Sequence, residues 1–141
     1  MDEAVIRIQG VPSSSVDLVW PDVRSWIAAA LAEGKSLESI DDVRALIVNQ
    51  DYQLWTVHAP GLVAAFVTRI ATASNGSALV AVCLGGQGMN EWLFAVEDVI
   101  SNFARSKGCR RVCLHGRRGW TRQLASYGWA EESVNVTKEL Q

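Results

Sequence analysis

The stretch Ala78-Leu79-Val80-Ala81-Val82-Cys83-Leu84, running through Gly85-Gly86-Gln87-Gly88-Met89-Asn90 into Glu91-Trp92-Leu93, decides how this chain is read. Its first part is apolar on both alternating faces, which suits a strand at the centre of a sheet. Glycines interrupt it. Then Trp92, Leu93, Val96, Val99, Ile100, Phe103 and Ala104 recur at helical spacing, with a stop at Lys107-Gly108. A strand delivered through a glycine turn onto a helix start leaves backbone N–H groups without intrahelical partners, and the helix dipole adds partial positive charge there. The segment therefore predicts a phosphate-bearing ligand, held by Leu84, Gly85, Gly86, Gln87, Gly88, Met89 and Asn90.

Downstream, Arg111–His115 reads as a strand and Thr121–Tyr127 as a short helix closed by Gly128. Ser133–Leu140 alternates and reads as a last strand. Upstream, a first strand over Ala4–Gln9 precedes a Gly10–Ser15 loop. Pro21 suits the first turn of a helix that carries Val23, Trp26, Ile27, Ala30 and Leu31 and ends at Gly34. A second helix, with Ser36, Ser39 or Asp41 as caps, carries Ile40, Val43, Leu46 and Ile47. Tyr52–Ala59 and Leu62–Ala71 form a hairpin about Pro60-Gly61, and Ser74–Ser77 is another turn. The order is β-α-α-β-β-β-α-β-α-β. It predicts an α/β fold with a mixed, mainly antiparallel sheet flanked by helices, in a single domain over residues 1–141.

At 141 residues, 49% hydrophobic and 20% charged, the chain suits one globular core. No apolar run reaches the ~20 residues of a membrane helix. An odd count of three cysteines speaks against a disulfide framework and points to the cytoplasm. The net charge of −2 is unevenly spread. Arg105, Lys107, Arg110, Arg111, Arg117, Arg118 and Arg122 follow one another with no acid among them, either as solvated surface or as a patch for phosphate groups. Cys109, Cys113 and His115 offer too few ligands for zinc, so no metal is expected.

The element order and the turn together are similar to the GNAT superfamily, the GCN5-related N-acetyltransferases. By topology the resemblance covers nearly the whole chain, and by motif it covers Leu79–Trp129. In that family a strand leads into Q/R-x-x-G-x-G/A and a long helix, whose amides hold the pyrophosphate of acetyl-CoA. Here Gly88 matches the first glycine, Gly85 stands at the Gln/Arg position and Asn90 at the Gly/Ala position. Leu124-Ala125-Ser126-Tyr127-Gly128-Trp129 resembles the short helix ending in Gly-Phe. Leu124 holds the place of the family's proton-donating tyrosine, and Tyr127 lies nearby. The segment Gly116-Arg117-Arg118-Gly119-Trp120 resembles small GNAT-like proteins of tailed bacteriophages, some of them associated with virion assembly.

Amine acetylation needs a polarised thioester carbonyl, a base for the amine and a proton for the departing thiolate. Glu91 at the helix start, His58 on a hairpin strand and His115 at a strand end are candidate bases, and Tyr127 is the candidate acid. The first expected function is an acetyl-CoA-dependent N-acetyltransferase, with acetyl-CoA or another acyl-CoA as partner. The second is a catalytically inactive GNAT-like protein that binds protein partners in a phage assembly, in the host cytoplasm or the virion. The third is a nucleic-acid-binding module that uses the arginine-rich stretch.

Overall fold

The computed structural model describes residues 5–114, 119–132 and 136–140. Five strands form one sheet in the order β1-β2-β3-β4-β5. They are β1 (Arg7–Val11), β2 (Tyr52–His58), β3 (Leu62–Ala73), β4 (Gly76–Gly86) and β5 (Arg111–Leu114). The first four pair antiparallel, and β5 pairs parallel with β4. The helices are α1 (Val16–Glu33), α2 (Ile40–Val48), α3 (Met89–Ser106) and the short α4 (Gly119–Leu124), which runs into a 3-10 turn over Ala125–Tyr127.

Each face of the sheet has its own core. On one face Val16, Trp20, Val23, Ile27 and Leu31 of α1 and Val43 and Ile47 of α2 pack on Leu54, Ala65, Val67 and Cys83. On the other, Trp92, Val96, Ile100 and Ala104 form one i, i+4 row along α3 and pack on Trp55, Val57, Ala64, Phe66 and Leu79. Trp55 stacks on Phe66 at 5.6 Å and meets Phe103 edge-on at 5.0 Å. Its indole N–H donates to Thr68 Oγ1 (3.0 Å), which donates on to Gln53 Oε1 (2.8 Å), so the buried polar atoms are paired.

Several boundaries differ from the sequence reading. Helix α1 begins at Val16, not at Pro21, which lies inside it. An interior proline costs about 3 kcal/mol. Burying Val16 and Trp20 returns about 1.5–3 kcal/mol each, so tertiary packing carries the helix through. The helix stops as Gly34 was expected to make it stop, but the left-handed residue there is Lys35, at φ 53°. Helix α2 takes Ser39 as its cap, with Asp42 closing a reciprocal capping box. The first strand, expected over Ala4–Gln9, begins at Arg7 among the described residues and ends two residues later than expected, because Gly10 and Val11 pair with Trp55 and Leu54.

The last strand, expected over Ser133–Leu140, falls partly outside the described residues. Residues 136–140 carry no regular secondary structure, with Val136 94% and Leu140 86% exposed. Alternation becomes a strand only where a neighbouring edge accepts its hydrogen bonds.

His58 sits half-buried at the end of β2, with its Nε2 3.1 Å from Thr56 Oγ1. Burial, and then the Arg7 charge, hold its pKa below the usual 6.5. The unfolded chain therefore binds this proton more readily, so stability is full above about pH 6.5 and falls as pH drops through that value toward the folded pKa. In urea titrations at about pH 7.5 and about pH 5.5, His58→Gln is expected to lose less stability on acidification than the wild type. An equal loss in both would remove His58 from the acid response.

Candidate functional site

Strand β4 joins two features that the linear sequence keeps apart. At its C-terminal end lies the glycine turn. Gly85 and Gly86, read from the sequence as turn, are the last residues of the strand and pair with Ala65 and Ala64. Packing explains them. A Cβ on Gly85 would lie 2.4 Å from the Trp26 carbonyl oxygen of α1, and one on Gly86 (φ +143°) would lie 2.3 Å from Ala64 Cβ. These two glycines let α1 and β3 close on the strand end, and the turn itself shortens to Gln87 and Gly88.

That turn is clamped. Gln87 N–H donates to Val63 O (2.8 Å), and Gln87 O accepts the Trp92 indole N–H (2.7 Å). Gly88, in the left-handed region at φ 70°, is the N-cap of α3, and no side chain caps that end. Glu91 N–H bonds back to Gly88 O (2.9 Å), while Met89 and Asn90 open the helix with N–H groups that an α-helix leaves without partners. Gln87, Gly88 and Asn90 are exposed. The cradle thus consists of fixed backbone, amides and a dipole, which fits an oxyanion. One group opposes it: the exposed Glu91 carboxylate stands beside Gly88, with Oε2 3.8 Å from where a Cβ on Gly88 would be.

Toward the middle of β4 a bulge interrupts the ladder. Val67 pairs with Cys83 and Thr68 with Ala81, so Val82 has no partner on β3. Among the described residues, β5 pairs with β4 only over Ala78–Ala81, so the backbone from Val82 to Gly86 is open on that side. Beside the bulge, between the end of α1 and the sheet, lies a cavity of about 230 Å³ lined by Leu31, Ser36, Glu38, Arg69, Val80 and Val82, among others. Both Glu38 carboxylate oxygens accept from the Tyr52 hydroxyl, each at 2.9 Å. Tyr52 and Arg69 are direct cross-strand neighbours, so both side chains emerge on the α1 face. Burial, then the hydrogen bond and charge of Glu38, push the Tyr52 phenol up to about 12, so it stays protonated and donates. Burial likewise pushes Cys83 to about 12, which leaves it an inert thiol. From Val82 to Gly86 the strand advances about 13 Å, at about 3.3 Å per residue.

The structure brings Leu84, Gly85, Gly86, Gln87, Gly88, Met89 and Asn90 into one continuous strand-end and turn. Glu91 joins them at the turn and does not line the cavity, so it stands at the far end of the strand from the bulge. Tyr127, expected as the acid, lies in the 3-10 turn after α4, 42% exposed and away from the cavity lining. His115 lies outside the described residues, as do Arg117 and Arg118. Other members of the basic run serve local contacts: Arg110 donates to Asn75 O (2.8 Å), Arg111 pairs with Glu132 (2.7 Å) and Arg105 donates to Asn102 (3.0 Å).

The sequence reading missed Glu38, Tyr52 and Arg69. One signal was available. Counting back from the Pro60-Gly61 turn sets Tyr52 near Arg69 across the hairpin, although the register shift at Val57/His58 blurs the count.

No family model matches the sequence, and no curated relative matches it. Solved structures do, along nearly the whole chain. A possible acetyltransferase from Clostridium difficile 630 superposes with a TM-score of 0.68 at 13% identity, covering 97% of this chain and 98% of its own. The chain has the GNAT fold. Glucosamine-6-phosphate N-acetyltransferase from Arabidopsis thaliana shares that fold with a TM-score of 0.61 at 13% identity, over 97% of this chain and 99% of its own. A predicted acetyltransferase from Clostridium acetobutylicum, solved with acetyl-CoA, matches with a TM-score of 0.64 at 11% identity, over 97% and 96%. At these identities the GNAT likeness concerns architecture, and function is argued from the residues of the site. Among the described residues no helix is long and apolar enough to cross a membrane.

Proposed function

We propose that this GNAT-fold chain is an acyl-CoA-dependent N-acetyltransferase whose reacting centre lies at the β4 bulge, beside Glu38. The carrying observation is that an open anion cradle follows the end of the same strand whose bulge borders a cavity holding a hydrogen-bonded carboxylate, with about 13 Å of strand between Val82 and Gly86 at about 3.3 Å per residue. The acetyl-CoA held by the Clostridium acetobutylicum structure supports the choice of cofactor.

When bound, acetyl-CoA supplies a thioester carbon for an amine: the C–N bond forms, the C–S bond breaks with its electrons on sulfur, and of the two protons that the ammonium loses one ends on sulfur and one is released. The chain's own residues divide the remaining work. The amides that open α3, at Gly88, Met89 and Asn90, would hold the pyrophosphate, and the clamped Gln87 peptide keeps them in place. The backbone of Val82–Gly86, open toward β5, offers N–H groups along an extended arm and toward the carbonyl oxygen. Glu38 takes the proton of the incoming ammonium, and the Tyr52 hydroxyl holds that carboxylate in place. Glu91 moves from candidate base to a charge that limits affinity at the cradle.

Calorimetric titration with CoA tests the cradle. Asn90→Asp puts a carboxylate in the first turn of α3, where it favours the helix by about 0.3–1 kcal/mol but repels a pyrophosphate. Affinity is expected to fall about tenfold, the equivalent of about 1.4 kcal/mol, with thermal stability kept or raised. Glu91→Gln is expected to tighten binding. Absence of CoA binding at millimolar concentration, or affinity unmoved by both substitutions, refutes the cradle.

A further inference from the structure

The cavity beside the β4 bulge contains one carboxylate and one guanidinium that are not paired with each other. Glu38 and Arg69 both line it, yet the ion pairs among the described residues are Arg44–Asp17 and Arg111–Glu132. Both side chains are half-buried. Glu38 spends part of its accepting capacity on the Tyr52 hydroxyl and retains lone pairs for another donor. Arg69 presents a planar fork suited to a carboxylate, with no carboxylate within ion-pair distance among the described residues. Half-buried charges of opposite sign that do not contact each other remain available to a ligand that can pair with both.

A ligand that completes both carries an ammonium and a carboxylate. The cavity is about 230 Å³, below the ~300 Å³ at which drug-sized pockets begin, so that ligand is small. Ala30, Leu31, Val80, Ala81 and Val82 give the wall an apolar side, and Gly34 and Ser36 complete it.

We infer that the acceptor is a small apolar amino acid, its ammonium at Glu38 and its carboxylate at Arg69. This rests on the acetyltransferase reading for the word acceptor; the binding itself does not. The amine nitrogen then lies beside the bulge, where it can be acetylated, and its carboxylate fixes the direction of approach.

Three matched probes separate the charges: L-leucine, 3-methylbutylamine, which lacks the carboxylate, and 4-methylpentanoate, which lacks the ammonium. Binding to the full chain is measured by ligand-observed NMR and calorimetry, with and without CoA. L-leucine is expected to bind at least about tenfold more tightly than either analogue, as charge-assisted hydrogen bonds require. Arg69→Met is expected to bring L-leucine down to the level of 3-methylbutylamine, and Arg69→Lys to restore part of the difference. Equal binding of leucine and the amine, a preference that survives Arg69→Met, or no binding of any probe in either condition overturns the inference. If L-leucine binds with this pattern but CoA does not bind, the amino-acid site stands and the acetyltransferase reading fails. If CoA binds and only amines without a carboxylate are acetylated, the reverse holds.

Discussion

Replacing Trp92 with alanine is expected to destabilise the protein by about 3–5 kcal/mol, the usual cost of emptying a buried tryptophan site. Trp92 is 1% exposed and begins the row through which α3 packs on Trp55, Phe66 and Leu79. For a domain of this size, thermal unfolding would drop by roughly 3–4 °C per kcal/mol, so by at least about 10 °C in calorimetry. The same side chain also fixes the turn, through its indole bond to Gln87 O. Trp92→Phe separates the two roles. It keeps most of the ring in the core and removes the only N–H on the side chain, leaving Gln87 O to water. Its stability loss should be smaller than that of alanine, while CoA affinity falls several-fold as the cradle loosens. If Trp92→Phe bound CoA like the wild type, the clamp would have no part in ligand binding.

Glu38→Gln is expected to lower kcat for amine acetylation by about 10²–10⁴-fold, the range associated with a positioned general base. Glutamine preserves the length of the side chain and an oxygen for the Tyr52 hydroxyl, so thermal unfolding should shift by no more than a few degrees. Raising pH should partly recover the rate of the variant, because more of the amine then arrives already deprotonated. A retained kcat would remove Glu38 from the chemistry, and loss of folding would show as a collapsed unfolding transition and be told apart from it. Tyr52→Phe provides a graded companion. It deletes the hydrogen bond at 2.9 Å without deleting the carboxylate, so it should cost less than Glu38→Gln.

How much was legible without coordinates varies with the distance over which each feature is decided. The core row of α3 follows from apolar spacing within one helix, and the hairpin about Pro60-Gly61 from alternation on each side of a turn dipeptide. The GNAT-like order followed from those local periods, and the superpositions agree with it. Helix α1 was harder, because Pro21 speaks locally for a late start while Val16 and Trp20 speak for an early one through contacts with α2 and the sheet. Gly85 and Gly86 were attributed to a ligand, yet their missing side chains first admit the Trp26 carbonyl and Ala64, neighbours far away along the chain.

Composition and periodicity alone were enough for the layers of this protein and for the strand–turn–helix that opens α3. They are encoded by residues within one or two helical turns of each other, where backbone geometry dictates who faces whom. The cavity was out of reach of that reasoning. Glu38 comes from the α1–α2 connection, Tyr52 from β2, Arg69 from β3 and Val82 from β4, and they meet through the packing of α1 on the sheet and a one-residue bulge. A bulge changes which face a side chain takes without leaving a period in the sequence, so the meeting of these four residues exists only once the strands are paired.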